Sequence, residues 1–275
     1  MKECFLLYFP LKVAIIDDDK DFLNFIAQNI SRKDTFLYSC PDRALIDIKS
    51  VDFQVKTLTK ESHDGIYDLS YTNIRKCYED NANYFGVLIS DYRMPKIDGI
   101  ELLSIFKDTD ILKILLTGEF KIESAVDALN TKTIDYYLPK DKINSIEEII
   151  NTLEVSLFRK IAKEVTKNVE DDALFFLKDI NYITIFNETC DRYNIIKYCL
   201  LNSYGGYLLE NEKEKFYLTI FHKKYRDEIS EGFSDTERKK INSGELIPSI
   251  FSQSQNTLLP AQTWFDYSFC IEKIY

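Results

Sequence analysis

Glycine and histidine are scarce in this chain, with eight of one and two of the other among 275 residues. No glycine-rich loop is present that could cradle a phosphate with backbone N–H groups, which weighs against a nucleotide-cradling enzyme. The two histidines are His63 and His222, and the six cysteines (4, 40, 77, 190, 199 and 270) show no CxxC spacing. A zinc site is therefore not expected, and the cysteines read as reduced thiols of a cytosolic protein. No run reaches the roughly 18–20 apolar residues that span a bilayer, so no membrane insertion is expected. The apolar start, Cys4 to Phe9, has the look of a secretion signal core, but Glu3, Pro10 and Lys12 interrupt it. Positive charge is also short: 35 Lys and Arg stand against 45 Asp and Glu, for a net charge of −10. Such a balance disfavours a generic binder of DNA or anionic membrane, because affinity for phosphate comes largely from a cationic surface. What the chain has is 45% apolar residues, enough for real cores, and a length that suggests two domains.

The first half alternates strand and helix. Leu11–Ile16 is short, apolar and β-branched, and it stops at Asp17-Asp18-Asp19. Asp21–Ile30 carries apolar residues at helical spacing, Thr35–Tyr38 reads as strand, and Pro41 can open a helix reaching about Lys49. Val87–Ser90 is a buried strand ending on Asp91. Glu101–Phe106 is helical, Lys113–Leu116 a strand ending at Thr117, Ile122–Leu129 a helix, and Ile134–Leu138 a strand ending near Lys140. This alternation predicts an α/β fold with a doubly wound parallel sheet. Residues 51–83 are surplus to it and hold a helix candidate at about Ser70–Tyr78. From Ser145, expected to cap with Glu148 as a capping box, one apolar stripe (Ile146, Ile150, Leu153, Leu157, Ile161) runs on to about Lys167. Such a helix is either a connector docking on the next domain or a dimer seam.

In a doubly wound sheet the functional crevice lies beyond the carboxyl ends of the strands, so Asp17, Asp18, Asp91, Thr117 and Lys140 should converge. Packed carboxylates repel one another unless a cation joins them. Mg²⁺ suits the set, since it takes one or more carboxylates and keeps waters. The Lys140 ammonium and Thr117 hydroxyl suit an oxygen-rich anion instead. Together they fit a phosphoryl group on one carboxylate, and Asp91, on the middle strand, is the best nucleophile.

The strings VAIIDDD (13–19), ISDYRMPKIDG (89–99), ILLTGE (114–119) and DYYLPK (135–140), in that order, resemble the receiver domain of bacterial two-component response regulators over about residues 11–155. The resemblance implies the flavodoxin-like five-stranded fold with strand order 2-1-3-4-5. It implies Asp91 as phosphoacceptor and a Mg²⁺ held by Asp17, Asp18, Asp91 and the backbone carbonyl of Arg93. Thr117 would be the switch hydroxyl, Lys140 the phosphate-binding lysine and Tyr137 the rotating aromatic; Met94, Pro95 and Gly99 would shape the acceptor loop. Arg93 and Glu119 flank the site and could pair over the phosphoryl group as modulators of its lifetime. A histidine kinase or histidine phosphotransfer protein is the implied donor. The implied role is a cytoplasmic signalling switch that is its own slow phosphatase, not an enzyme in the ordinary sense. Two departures stand out. Pro139 precedes Lys140 where the family usually places Pro after the lysine, and the connection from Cys40 to Gly86 is much longer than a receiver needs. An extra helix packed on or beside the second helix is expected there.

The reading divides the chain into a receiver at 1–144, including the extended segment at about 51–83, a linker helix at 145–168 and a smaller α+β output domain at 169–275. In the last, Gly206–Glu210 and Phe216–Phe221 form a hairpin candidate, Ser234 a helix cap with Glu237, and Thr263–Ile271 a strand. The stretch IIKYCLLNSYGGYLLENEKEKFYLTIF, with IPSIF and LLPAQ, is similar to the carboxyl-terminal region of a subgroup of proteobacterial response regulators. That resemblance supports the boundary and names no output. Tyr204, Tyr207, Phe216, Tyr217, Trp264, Phe265 and Tyr267 favour a protein-binding or dimerising output, if exposed. Two small basic clusters, Lys223/Lys224/Arg226 and Arg238–Lys240, keep a nucleic-acid regulator as the alternative.

Overall fold

The computed structural model describes residues 4–48, 57–61, 67–80, 85–118, 122–167, 169, 171–249, 257–264 and 266–274. By its contacts the chain divides into two compact units. One comprises Pro10–Gln54 and Glu79–Leu157; the other comprises Met1–Phe9, Val55–Tyr78 and Phe158–Tyr275. The sequence reading placed residues 1–144 together, whereas the contacts group the first residues and most of the surplus segment with the carboxyl-terminal half. The chemistry of those residues gives the reason. Phe5, Leu6, Leu7 and Phe9 are all buried, and their short strand β1 (Leu7–Tyr8) pairs antiparallel with β9 (Lys197–Leu200), Leu7 opposite Cys199. The apolar start is thus a piece of core.

The first unit holds β2 (Lys12–Ile16), α1 (Lys20–Asn29), β3 (Thr35–Tyr38), α2 (Pro41–Asp47), β6 (Phe85–Asp91), α4 (Gly99–Ser104), β7 (Leu112–Thr117), α5 (Ile122–Asn130) and β8 (Tyr136–Pro139). Its five strands run in the order β3-β2-β6-β7-β8, all parallel, which is the doubly wound receiver topology read from the sequence. The central strand β6 is buried at all seven positions. Each of its large apolar side chains contributes about 1.5–3 kcal/mol by leaving water. One face of the sheet packs Ala14, Ile16, Leu88 and Leu115 against Leu102 and Leu103 of α4 and Ala125 and Ala128 of α5. A 3₁₀ turn at Lys140–Ser145 leads directly into α6 (Ile146–Thr166), so Ser145 closes that turn where an isolated cap was expected.

At the amino ends of the strands, α6 fastens the sheet with acids. Glu147 accepts from the backbone N–H of Ser31 (2.6 Å) and of Arg32 (3.1 Å). Two turns on, the fully buried Glu154 accepts from Leu11 N (2.9 Å) and pairs with Arg32, whose other nitrogen contacts are to Leu11 O (2.7 Å) and Asn151 Oδ1 (3.3 Å).

The second unit is built on a six-stranded antiparallel sheet, β1-β9-β10-β11-β15-β14, with β10 (Tyr207–Glu210), β11 (Lys215–His222), β14 (Gln262–Trp264) and β15 (Tyr267–Ile274). The expected hairpin is β10–β11, and the expected last strand is split into β14 and β15. Around the sheet lie a 3₁₀ segment at Asp171–Leu177, α7 (Ile180–Arg192), α8 (Arg226–Ser230), α9 (Asp235–Ser243) and the hairpin β12 (Leu246–Pro248)–β13 (Leu258–Pro260). Ser234 caps α9 with Glu237 in a complete capping box, as its spacing predicts. The surplus segment supplies a hairpin of β4 (Thr59–Glu61) and β5 (Tyr67–Leu69), and helix α3 (Tyr71–Asp80). Tyr67 bridges Val169, and Tyr78 donates to Glu210 (2.9 Å).

Three of the aromatics offered above as an interaction surface belong to this unit's core: Tyr207, Phe216 and Tyr267 are buried. Tyr204, Tyr217 and Trp264 are half-buried, and Phe265 lies outside the described residues. The small α+β core consumes large side chains, because few residues must fill it. Gly205 marks the turn before β10 with φ of +90°; a Cβ there would sit 2.7 Å from the buried Tyr182 hydroxyl. All six cysteines are free.

Candidate functional site

Three carboxylates and one ammonium meet at the carboxyl ends of the parallel strands. Asp17 follows β2 directly; its backbone N–H donates to Tyr38 O (3.0 Å), which ties it to β3, and its side chain is fully buried. Asp17 Oδ1 accepts from Asp19 N (2.9 Å). Asp19 is a structural acid: it caps α1, accepting from the N–H groups of Asp21 and Phe22. Asp91 ends β6, and its Oδ2 accepts from Arg93 N (2.8 Å). Asp18 is exposed and lines a small open cavity of about 130 Å³ with Cys40, Asp42, Pro95 and Lys96. Oxygens of Asp17, Asp18 and Asp91 all lie within 4.8 Å of one another.

Lys140, the first residue after β8, places Nζ 2.6 Å from Asp17 Oδ2 and 2.9 Å from Asp91 Oδ1. The same ammonium lies 4.5 Å from the centre of the Phe22 ring, a partner the sequence reading missed. Only the register of α1 brings Phe22 under a lysine that follows it by more than a hundred residues. Thr117 ends β7 and is buried; it stands one residue past Leu116, the register partner of Asp91, and opposite Pro139. Tyr137 is half-buried in β8 and packs against the core cluster below the site. Arg93 reaches the surface through its side chain, while Glu119 lies outside the described residues. Gly99 is required by close approach: a Cβ there would collide with the carbonyl of Asp91.

The electrostatics carry a surplus of acceptors. Burial pushes the Asp17 carboxyl up, Asp91 adds repulsion, and the bonds from Lys140 and Asp19 N only partly offset these. Burial works against the Lys140 charge, yet hydrogen bonds to Asp17 and Asp91 outweigh it and hold the ammonium above its ordinary value. One ammonium contacts two of the three carboxylates. Despite the ion pair, Asp17 Oδ2 lacks a partner of proper hydrogen-bond geometry. An unsatisfied buried oxygen among hard oxygen donors is the donor set of a hard divalent cation, so Mg²⁺ fits these residues.

No protein-family model and no curated protein matches the chain. Among solved structures, the response regulator LqsR of Legionella pneumophila is similar over both units: 23% identity and a TM-score of 0.69, covering 98% of this chain and 89% of that one. The receiver domain of the Francisella response regulator 1452 is 24% identical with a TM-score of 0.35, over 55% of this chain and 98% of that one. An adenylate cyclase from Rhodopirellula baltica is 18% identical with a TM-score of 0.38, over 55% and 92%. The two partial likenesses carry no weight for activity, and the full-length one is a likeness of fold. No described helix is long and apolar enough to cross a membrane. The chain thus carries a response-regulator receiver fold with an acidic pocket at its strand ends, and joined to it a second unit built on an antiparallel sheet.

Proposed function

We propose that this protein is a cytoplasmic response regulator of a two-component phosphorelay. The phosphoryl group passes from a phosphohistidine of a histidine kinase or phosphotransfer protein to Asp91: the P–N bond breaks as a P–O bond forms to the carboxylate. The observation that carries this reading is the meeting of Asp17, Asp18 and Asp91 with Lys140 at one end of the sheet. Mg²⁺ would be held by Asp17, Asp18, Asp91 and the Arg93 carbonyl; when bound it neutralises charge developing on the phosphoryl oxygens. Lys140, already on Asp91 Oδ1, moves its ammonium to a phosphoryl oxygen. Thr117 supplies a hydroxyl from the neighbouring strand end, and Tyr137 follows it as the switch side chain. Arg93 and Glu119 would modulate the lifetime of the acyl phosphate.

The second unit is read as a protein-contacting or dimerising output. With the aromatic argument reduced by burial, the support is the acidic charge and the fate of one basic cluster. Lys223 pairs with Asp266 (2.7 Å), and Arg226 donates to Asn242 O (2.8 Å) and Ser268 Oγ (3.0 Å), so both are engaged within the unit. The alternative, a nucleic-acid regulator, rests on Arg238–Lys240.

The test is incubation with acetyl phosphate and Mg²⁺, read by intact mass. Wild type gains one phosphoryl group; Asp91→Asn gains none and keeps its melting curve. Labelling of Asp91→Asn overturns the acceptor assignment. Failure of wild type with acetyl phosphate and with phosphorylated kinases alike overturns the reading. Light scattering with beryllofluoride and Mg²⁺ then reports whether activation pairs two chains.

A further inference from the structure

One exposed cation of the second unit lies against two aromatic rings. The Lys224 ammonium lies 3.5 Å from the centre of the Phe175 ring and 4.9 Å from that of Tyr225. The two rings stand 5.9 Å apart at 50°, so they form an open corner and not a stack. Both are half-exposed. The corner is built and braced. His222 stands edge-on to Phe175 at 5.5 Å and accepts from Lys224 N (3.1 Å), which fixes the turn. Tyr204 stands edge-on to Tyr225 at 5.3 Å, and its hydroxyl donates to Glu228 (2.7 Å).

Carboxylates flank the corner. Asp179 and Asp266 act on His222 from one side, and Glu228 holds Tyr204 on the other. Of the nearby cations, Lys223 and Arg226 are committed to partners within the fold. Lys224 supplies the charge of the corner from an exposed, flexible stem that can swing away. A primary ammonium is a poor permanent occupant, because ring faces do not satisfy its three N–H donors as water does. A quaternary ammonium has no donors to satisfy and loses less hydration on meeting ring faces.

We propose that the Phe175–Tyr225 corner is a binding site for quaternary ammonium groups, with the Lys224 ammonium as its built-in placeholder. The ligand displaces Lys224 and restores the charge it removes. The site is independent of Asp91 and needs no change there.

The experiment titrates the full chain with tetramethylammonium, read by calorimetry and by the ring resonances of the tyrosines. Lys224→Ala binds about tenfold more tightly than wild type, because the placeholder no longer competes. Adding Phe175→Leu, which keeps apolar volume and removes the ring face, abolishes that gain; unchanged melting curves certify both variants. Ammonium chloride at equal ionic strength does not compete. Choline and a trimethyllysine peptide then separate the sources: preference for the first marks a small free ligand, for the second a modified protein partner. Binding by Lys224→Ala no tighter than wild type, or a gain that survives Phe175→Leu, overturns the proposal.

Discussion

The parallel sheet buries a carboxylate at each end, and the two are treated in opposite ways. At the amino ends Glu154 meets donors that match it: the Arg32 guanidinium and the Leu11 N–H, with Leu11 O taking another Arg32 proton. Only Arg32 Nε is left without a partner. Burial still raises the Glu154 carboxyl, since the Arg32 charge and the Leu11 bond do not fully offset it. At the carboxyl ends Asp17 shares one ammonium with Asp91, beside the third carboxylate of Asp18, and its Oδ2 keeps no hydrogen bond of good geometry. One end spends its acid on holding helix α6 to the sheet. The other keeps carboxylates close enough to repel one another, which a divalent cation would relieve. A buried acid is therefore informative only together with its donor count.

The contrast can be broken in steps. The largest effect is expected at Glu154. Glu154→Ala strands the Arg32 charge and costs about 3–5 kcal/mol in urea unfolding, and Glu154→Leu combined with Arg32→Met recovers most of it. A small loss in the single variant would show that the pair is not structural. Next comes Asp17→Asn, with the opposite sign. In EDTA it stabilises the chain by about 1 kcal/mol, by removing a buried charge that Lys140 and Asp19 N only partly compensate. Wild type instead gains about 1.4 kcal/mol from Mg²⁺ at ten times its Kd, and Asp17→Asn gains nothing. Equal Mg²⁺ responses of the two proteins would remove Asp17 from the metal site.

The smallest effect is a pH dependence at Glu147. Burial raises this carboxyl slightly, but the bonds from Ser31 and Arg32 outweigh that and hold it below its ordinary value. Its folded pKa lies under its unfolded one, so its contribution is complete above the unfolded carboxylate range. The contribution fades as pH falls through the folded value. After solvent screening, Glu147→Gln removes about 0.5 kcal/mol at neutral pH and flattens the acid limb of the stability curve. An acid limb unchanged by the substitution would place the stabilising bonds elsewhere.

The receiver half was legible because its signals are local and repeated. Four of the five strands are short apolar runs that stop at a polar residue, so Asp17, Asp91, Thr117 and Lys140 mark the strand ends and the proposed site together. What stayed hidden depends on distant pairing. Leu7 pairs with Cys199, and nothing near Leu7 announces it. β9 escaped for the same reason: Lys197–Leu200 is four residues of mixed character between α7 and a turn. The burial of Glu154 is not legible in its own helix, because its desolvation is set by Leu11 and Arg32. Tyr207 read as a surface residue, because a hydroxyl that finds a partner inside a core, here Phe5 O, looks the same in sequence as one in water.

The pairing of β1 with β9 also sets an order of events during synthesis. A ribosome adds about 5–20 residues per second, so roughly 10–40 s separate the emergence of Leu7 from that of Cys199. In that interval every strand of the parallel sheet has been made, while Phe5, Leu6, Leu7 and Phe9 still lack the sheet that will cover them. The nascent chain therefore carries an uncovered apolar segment through that interval, and its second unit can close only after Cys199 has been made.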